Sequence, residues 1–228
     1  MDIIREVFLV LVPMLLCLTV HEYSHARSAL WLGDDTATRM GRLTLNPVAH
    51  ADLFGTILLP LFAIVSQSNF FFGWAKPVPV NPVRFSRRFN GRRVTMRTGM
   101  MITAAAGPVS NIVFGLLAAA LLKLMFVMEF TYEPILMLVL RILTINYVLA
   151  VFNFIPLPPL DGSKVLAGFL PNHIAVKFDA LERNPFVALV ILMALLGTGL
   201  LGKIIGPVVT WMLVGTDYLV DLGLFYHG

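Results

Sequence analysis

His21, Glu22 and His25 place two imidazoles and a carboxylate at the end of an apolar run, IIREVFLVLVPMLLCLTV, where a bilayer span makes every ionisable group costly and marks it as functional. On a helix, His21 and His25 stand one turn apart and project from one face. Both ring nitrogens can then reach one cation, while Glu22 sits beside them without having to ligate. Zinc suits this pair, because a catalytic zinc takes three protein ligands and keeps a fourth position for water, whose proton a neighbouring carboxylate can remove. Glu22 fits that base. The alternative is a buried polar cluster that only packs between helices, and a third ligand separates the two readings.

Asp161 is the best candidate for that ligand. It lies in the stretch from Asn153 to Gly162, where three prolines end a membrane helix and Gly162 lets the chain turn tightly after the acid. A His₂Asp set leaves one zinc position open. The competing role for Asp161 is an N-cap for a helix starting near Ser163. Cys17, four residues before His21 on the same face, is read as packing; as the lone cysteine it also rules out an intramolecular disulfide.

The elements that must carry these residues are membrane helices. The chain has 228 residues, 58% hydrophobic and 13% charged, with a mean hydropathy of +0.83, far more apolar than a soluble domain. Apolar runs predict helices over about 3–30, 53–67, 99–126, 134–155, 186–202 and 205–225. The expected fold is an all-α polytopic membrane protein of about five or six transmembrane helices. The opening run has no strongly basic start and no small-residue cleavage site, so it is expected to be retained.

Lys76, Arg84, Arg87, Arg88, Arg92, Arg93 and Arg97 fall in one acid-free stretch. Beside membrane spans this pattern places 76–97 on the cytoplasmic side near anionic headgroups, and does not point to nucleic acid. Arg39 and Arg42 place 31–50 on the same side, so His21, His25 and Asp161 fall at one depth. The segment 53–67 must then return without changing sides, as a re-entrant hairpin or with help from the extended stretch FFFGWAKPVPVNP. Pro77, Pro79 and Pro82 exclude a regular helix there and suit an edge strand or an extended, β-like membrane-associated segment. Such backbone is tolerated at membrane depth only against protein or a water-filled cavity, so it is expected to line the site.

HEYSH at 21–25, GWAKPVPVNP at 73–82, AAAGPVSN at 104–111 and NFIPLPPLDG at 153–162 together resemble the site-2 protease family of intramembrane zinc metalloproteases, in its compact branch without PDZ or CBS domains. The resemblance covers most of the first 165 residues; the last sixty or so carry no matching motif. It implies one Zn²⁺ per chain held by His21, His25 and Asp161, with Glu22 as general base and acid. It also implies that Asn153 binds substrate backbone or stabilises the oxyanion. On this reading residues 1–228 form a single membrane-embedded protease domain, with a catalytic core over about 1–165 and C-terminal helices over about 186–226. The expected location is the plasma membrane, with the site towards the cytoplasm. Expected partners are the lipid bilayer and a membrane-protein or signal-peptide substrate; a homo-oligomer is compatible with the sequence.

Two other functions use the same residues: a non-catalytic zinc-containing protein that binds membrane helices, and a metal-ion transporter. An intact Glu22 argues against the first, and the absence of a second copy of either motif argues against the second. Gly107, Pro108 and Ser110 are read as close helix packing, and Asn111 as an amide that needs a partner on the active-site helix. His50 and Asp52 are read as solvated or hydrogen-bonded, and His173 and His227 as bystanders. Phe70, Phe71, Phe72 and Trp74 are expected in an interfacial aromatic belt, with Trp31 and Trp211, or as substrate contacts.

Overall fold

The computed structural model describes residues 3–66, 73–171, 173–174 and 184–225. Phe70, Phe71, Phe72 and His227 lie outside them. The long first helix α1 (Ile3–Trp31) is followed by the short α2 (Thr36–Arg39) and α3 (Pro47–His50), and by a π-helical stretch Leu53–Leu58 that continues into α4 (Leu59–Val65). A hairpin of β1 (Arg88–Phe89) and β2 (Arg92–Arg93) then leads to α5 (Met96–Val127), α6 (Glu133–Asn153), α7 (Asp161–Phe169), α8 (Pro185–Gly197) and α9 (Leu200–Val220).

All six apolar runs form helix. Four helices, α1, α5, α6 and α9, are long and apolar enough to cross a membrane, and Leu53–Val65 and Phe186–Gly197 are shorter apolar helices. The chain is therefore a multi-pass, all-α membrane protein. At 1.5 Å per residue the two short helices reach only about 20 Å, less than a hydrocarbon core of about 30 Å. The last two helices divide earlier than expected, at Gly199, whose φ of +71° suits glycine and stops α8. Lys203 and Pro207 consequently lie inside α9.

Helix α5 is central and touches α1, α6, α7 and α9. Its buried stripe is dominated by small residues, among them Gly99, Ala104, Gly107, Gly115 and Ala118, which lets neighbouring helices approach closely. A Cβ on Gly115 would stand 2.5 Å from Cε1 of Tyr147 on α6. One apolar core joins Ala119 and Leu122 of α5 to Leu143 and Tyr147 of α6 and Val209 of α9. The Tyr147 hydroxyl meets Thr216 Oγ1 at 2.6 Å and ties α6 to α9. At the other end of the spans, Arg5 of α1 pairs with Glu133 of α6 at 2.8 Å, so these two helices start at one level and run side by side.

The segment after α3 returns to the end it left. Trp74 N–H donates to the Gly55 carbonyl at 3.2 Å, Lys76 N–H to the His50 carbonyl at 2.9 Å, and Thr56 Oγ1 to the Trp74 carbonyl at 2.7 Å. Residues 73–76 are thus hydrogen-bonded back to the base of Leu53–Val65, and residues 73–81 run without helix alongside it. Ser86 N–H and Arg87 N–H both donate to the Leu32 carbonyl, so the basic stretch sits at the same end as the close of α1. The hairpin turns through Asn90 and Gly91, with φ of 48° and 79°, a two-residue turn signal that the reading of 76–97 by charge alone passes over.

Candidate metal centre

Helix α1 buries Leu9, Pro13, Cys17, His21, His25 and Ala29 at steps of four, a single stripe that carries both imidazoles against α5. Gly107 of α5 faces them. A Cβ there would lie 2.5 Å from His25 Cε1 and Nε2 and 2.6 Å from His21 Cε1, so glycine is what allows the helices to meet at this level.

Asp161 arrives from the far end of the core. Pro156 disfavours helix at Ile155, and α6 ends at Asn153. A side chain on Gly162 would strike the carbonyl oxygens of Phe154 and Ile155, so glycine permits the tight fold that carries Asp161 back to α1. Asp161 opens α7 but caps nothing; its carboxylate points to the histidines. Its Oδ2 lies 3.1 Å from His21 Nε2 and 3.2 Å from His25 Nε2, and the two Nε2 atoms are 3.0 Å apart.

The protons on the rings follow from their outer partners. His25 Nδ1 lies 2.7 Å from the Thr103 carbonyl oxygen, which can only accept, so Nδ1 carries hydrogen. The Asn111 amide nitrogen donates to the Cys17 carbonyl at 3.2 Å, which leaves Asn111 Oδ1 to accept from His21 Nδ1–H at 2.6 Å. In the neutral rings both Nε2 lone pairs therefore point inward at a carboxylate oxygen. Three acceptors at 3.0–3.2 Å with no proton between them repel one another, and a cation among them removes the repulsion. The spacing is close to the edge of a tetrahedron, about 3.3 Å for metal–ligand bonds of about 2.0 Å. Two imidazoles and one carboxylate are a donor set zinc accepts.

Glu22 stands beside this triangle; His21, Glu22 and His25 offer ligand atoms within 4.8 Å of one another. Its Oε2 accepts from Val78 N–H at 2.9 Å, the one peptide N–H between Pro77 and Pro79. The segment is fixed at two further points. Arg42 donates to the Lys76 carbonyl at 2.6 Å, and the fully buried Asp34 accepts from Asn81 N–H at 2.6 Å. A cavity of about 340 Å³ opens over the triangle, with Glu22, Val78, Val80, Thr103, Asn153 and Lys164 in its wall. A second, of about 310 Å³, shares His21, Glu22, Pro77 and Asn153 with it and extends to Trp74 and to Leu189 and Leu192 of α8. Asn153 borders both, its amide nitrogen bonded to the Leu149 carbonyl at 3.0 Å.

The remaining candidates lie elsewhere. Cys17 Sγ faces the Ile142 carbonyl at 3.8 Å and is fully buried. His50 bonds the Thr44 carbonyl at 2.8 Å, and Asp52 Oδ1 caps Phe54 N–H and Gly55 N–H. His173 is exposed. Among the described residues the only metal-competent cluster is the one around His21. The sequence reading missed Val78, the Thr103 carbonyl and Asn146, which accepts from Asn111 at 2.6 Å. Asn146 was detectable as an amide inside the apolar run 134–155; the two backbone groups left no signal in residue type.

No protein-family model matches this chain, and no solved structure matches it. A Bacillus subtilis (strain 168) protein named "Putative zinc metalloprotease YwhC" is 37% identical to it over 186 residues, 79% of this chain and 78% of that protein. With that identity over that share of both chains, and with a donor set that zinc accepts, this chain belongs to the zinc metalloprotease family of YwhC.

Proposed function

We propose that the protein is an intramembrane zinc endopeptidase of the site-2 protease type, which hydrolyses peptide bonds within or near transmembrane segments or signal peptides. The observation that carries the reading is the convergence of His21, His25 and Asp161 at 3.0–3.2 Å, beside Glu22, within a bundle of membrane-length helices. His21, His25 and Asp161 would hold one zinc per chain. Bound there, the metal supplies Lewis-acid activation of water and of the scissile carbonyl.

Glu22 takes a proton from the attacking water as the new C–O bond forms, and delivers it to the amide nitrogen as the C–N bond breaks. Its Oε2 is held by Val78 N–H, which leaves Oε1 for that transfer. Asn153, in the wall of both cavities, has a second amide hydrogen to offer a substrate carbonyl or the developing oxyanion. A helical peptide bond is protected by its own hydrogen bonds, so the substrate must be held extended at the site. The Val78 carbonyl and both main-chain groups of Val80 have no hydrogen-bond partner among the described residues and border the cavity, as β-augmentation requires. The basic stretch 76–97 lies at the same end as the site, which supports placing the site towards the cytoplasmic face of the membrane.

The test is cleavage of a panel of membrane helices by purified, reconstituted protein. Wild type should release two fragments from at least one helix, and Glu22→Gln should release them about 10²- to 10⁴-fold more slowly while retaining its zinc. Cleavage by Glu22→Gln at the wild-type rate would defeat the assignment.

A further inference from the structure

We infer that Asn111 and Asn146 are positioning residues that lock the tautomer of His21 and thereby set how tightly the site holds its metal. The inference rests on the proposal that His21 is a ligand. Both amides are fully buried, on α5 and α6. Asn146 Nδ2 donates to the Ile142 carbonyl at 2.8 Å, which turns Asn146 Oδ1 towards Asn111. Asn111 Nδ2 donates to that oxygen at 2.6 Å and to the Cys17 carbonyl at 3.2 Å, and Asn111 Oδ1 accepts from His21 Nδ1–H at 2.6 Å.

The direction of this relay is fixed at both ends by peptide oxygens, which cannot donate. Rotating Asn111 by half a turn would set its NH₂ against Nδ1–H of His21 and its oxygen against two acceptors. With both amides buried, no water is at hand to repair either mismatch, so only one arrangement survives. His21 therefore keeps hydrogen on Nδ1 and presents its Nε2 lone pair to Asp161 and His25. The other imidazole obtains the same bias from the Thr103 main-chain carbonyl. Among the described residues, Asn111 is thus the side chain through which the tautomer of either histidine can be altered. A hydrogen-bond acceptor on the outer nitrogen fixes ring orientation and raises ligand basicity, and its loss lowers metal affinity roughly 10- to 100-fold.

The experiment measures zinc affinity by chelator competition on the purified full-length protein, together with ¹⁵N-histidine shifts of the zinc-free form. Wild type should show His21 with hydrogen on Nδ1. Asn111→Leu should bind zinc roughly 10- to 100-fold more weakly and lose that signature. Asn111→Asp, which as a buried neutral acid accepts from Nδ1–H through one oxygen and donates to Asn146 Oδ1 through the other, should restore both. Asn146→Leu leaves the Cys17 carbonyl alone to orient the Asn111 amide and should weaken binding by a smaller factor, which keeps the test decisive should Asn111→Leu fail to fold. A purely structural role would make the buried aspartate at least as damaging as leucine. Zinc affinity of folded Asn111→Leu within about twofold of wild type, or Asn111→Asp no better than Asn111→Leu, would overturn the inference and leave the proposed function standing. Wild type that takes up no zinc would overturn both.

Discussion

Val78 N–H lies 2.9 Å from Glu22 Oε2, so the extended segment bordering the cavity is hydrogen-bonded to the carboxylate assigned as the base. One contact thus joins the wall proposed to face substrate to the proposed base. It also allows the two roles of Glu22 to be separated by mutation.

Glu22→Gln keeps an oxygen for Val78 N–H but cannot take a proton. Turnover should fall by about 10²- to 10⁴-fold with zinc content unchanged. Glu22→Ala loses the anchor as well and should in addition raise KM. Cleavage kinetics beside metal analysis check both.

Gly107→Ala places a methyl group 2.5 Å from the His25 ring and 2.6 Å from that of His21. Neither imidazole can yield without leaving the triangle, and overpacking of this kind costs about 1–3 kcal/mol. The variant should insert into membranes yet bind zinc weakly and cleave poorly, whereas Gly202→Ala on α9, with no atom near its added Cβ, should retain both properties.

Asp34→Ala removes the acceptor of Asn81 N–H at 2.6 Å and of Thr36 N–H at 3.0 Å. Leaving such donors unsatisfied costs about 1–3 kcal/mol, here charged to residues 76–81 rather than to the metal ligands. Amide hydrogen exchange should accelerate in that segment and KM should rise, with zinc affinity retained.

Chelation of the metal leaves three acceptors facing one another at 3.0–3.2 Å. The zinc-free protein should melt at a lower temperature and cleave nothing, and added zinc should restore both. A free zinc concentration of 100 times Kd should stabilise the fold by about 2.7 kcal/mol. Equal melting temperatures with and without zinc would count against a site of this geometry.

The part of the centre legible in sequence is the part set by local geometry. His21, Glu22 and His25 share one helical turn, and helix periodicity alone places them on a common face. Asp161 is a candidate from its proline-rich turn and from the family resemblance, but the reason it meets the histidines, the fold at Gly162 and the small-residue stripe of α5, lies in packing that the sequence does not display. Asn111 was recognisable as an amide in need of a partner, but its neighbours, the Cys17 carbonyl and Asn146, are set by the packing of three helices. Val78 acts through its peptide N–H, which residue type does not reveal. The six apolar segments were readable from hydropathy; the break at Gly199 was not, because apolar residues flank it on both sides.

The most direct measurement is zinc K-edge X-ray absorption on the purified protein, with metal content determined for wild type, His21→Ala and Asp161→Ala. The account predicts one zinc per chain in wild type, bound by two imidazole nitrogens and light oxygen ligands at about 2.0 Å, with occupancy lost in both variants. A sulfur neighbour, or full occupancy after removal of Asp161, would contradict it.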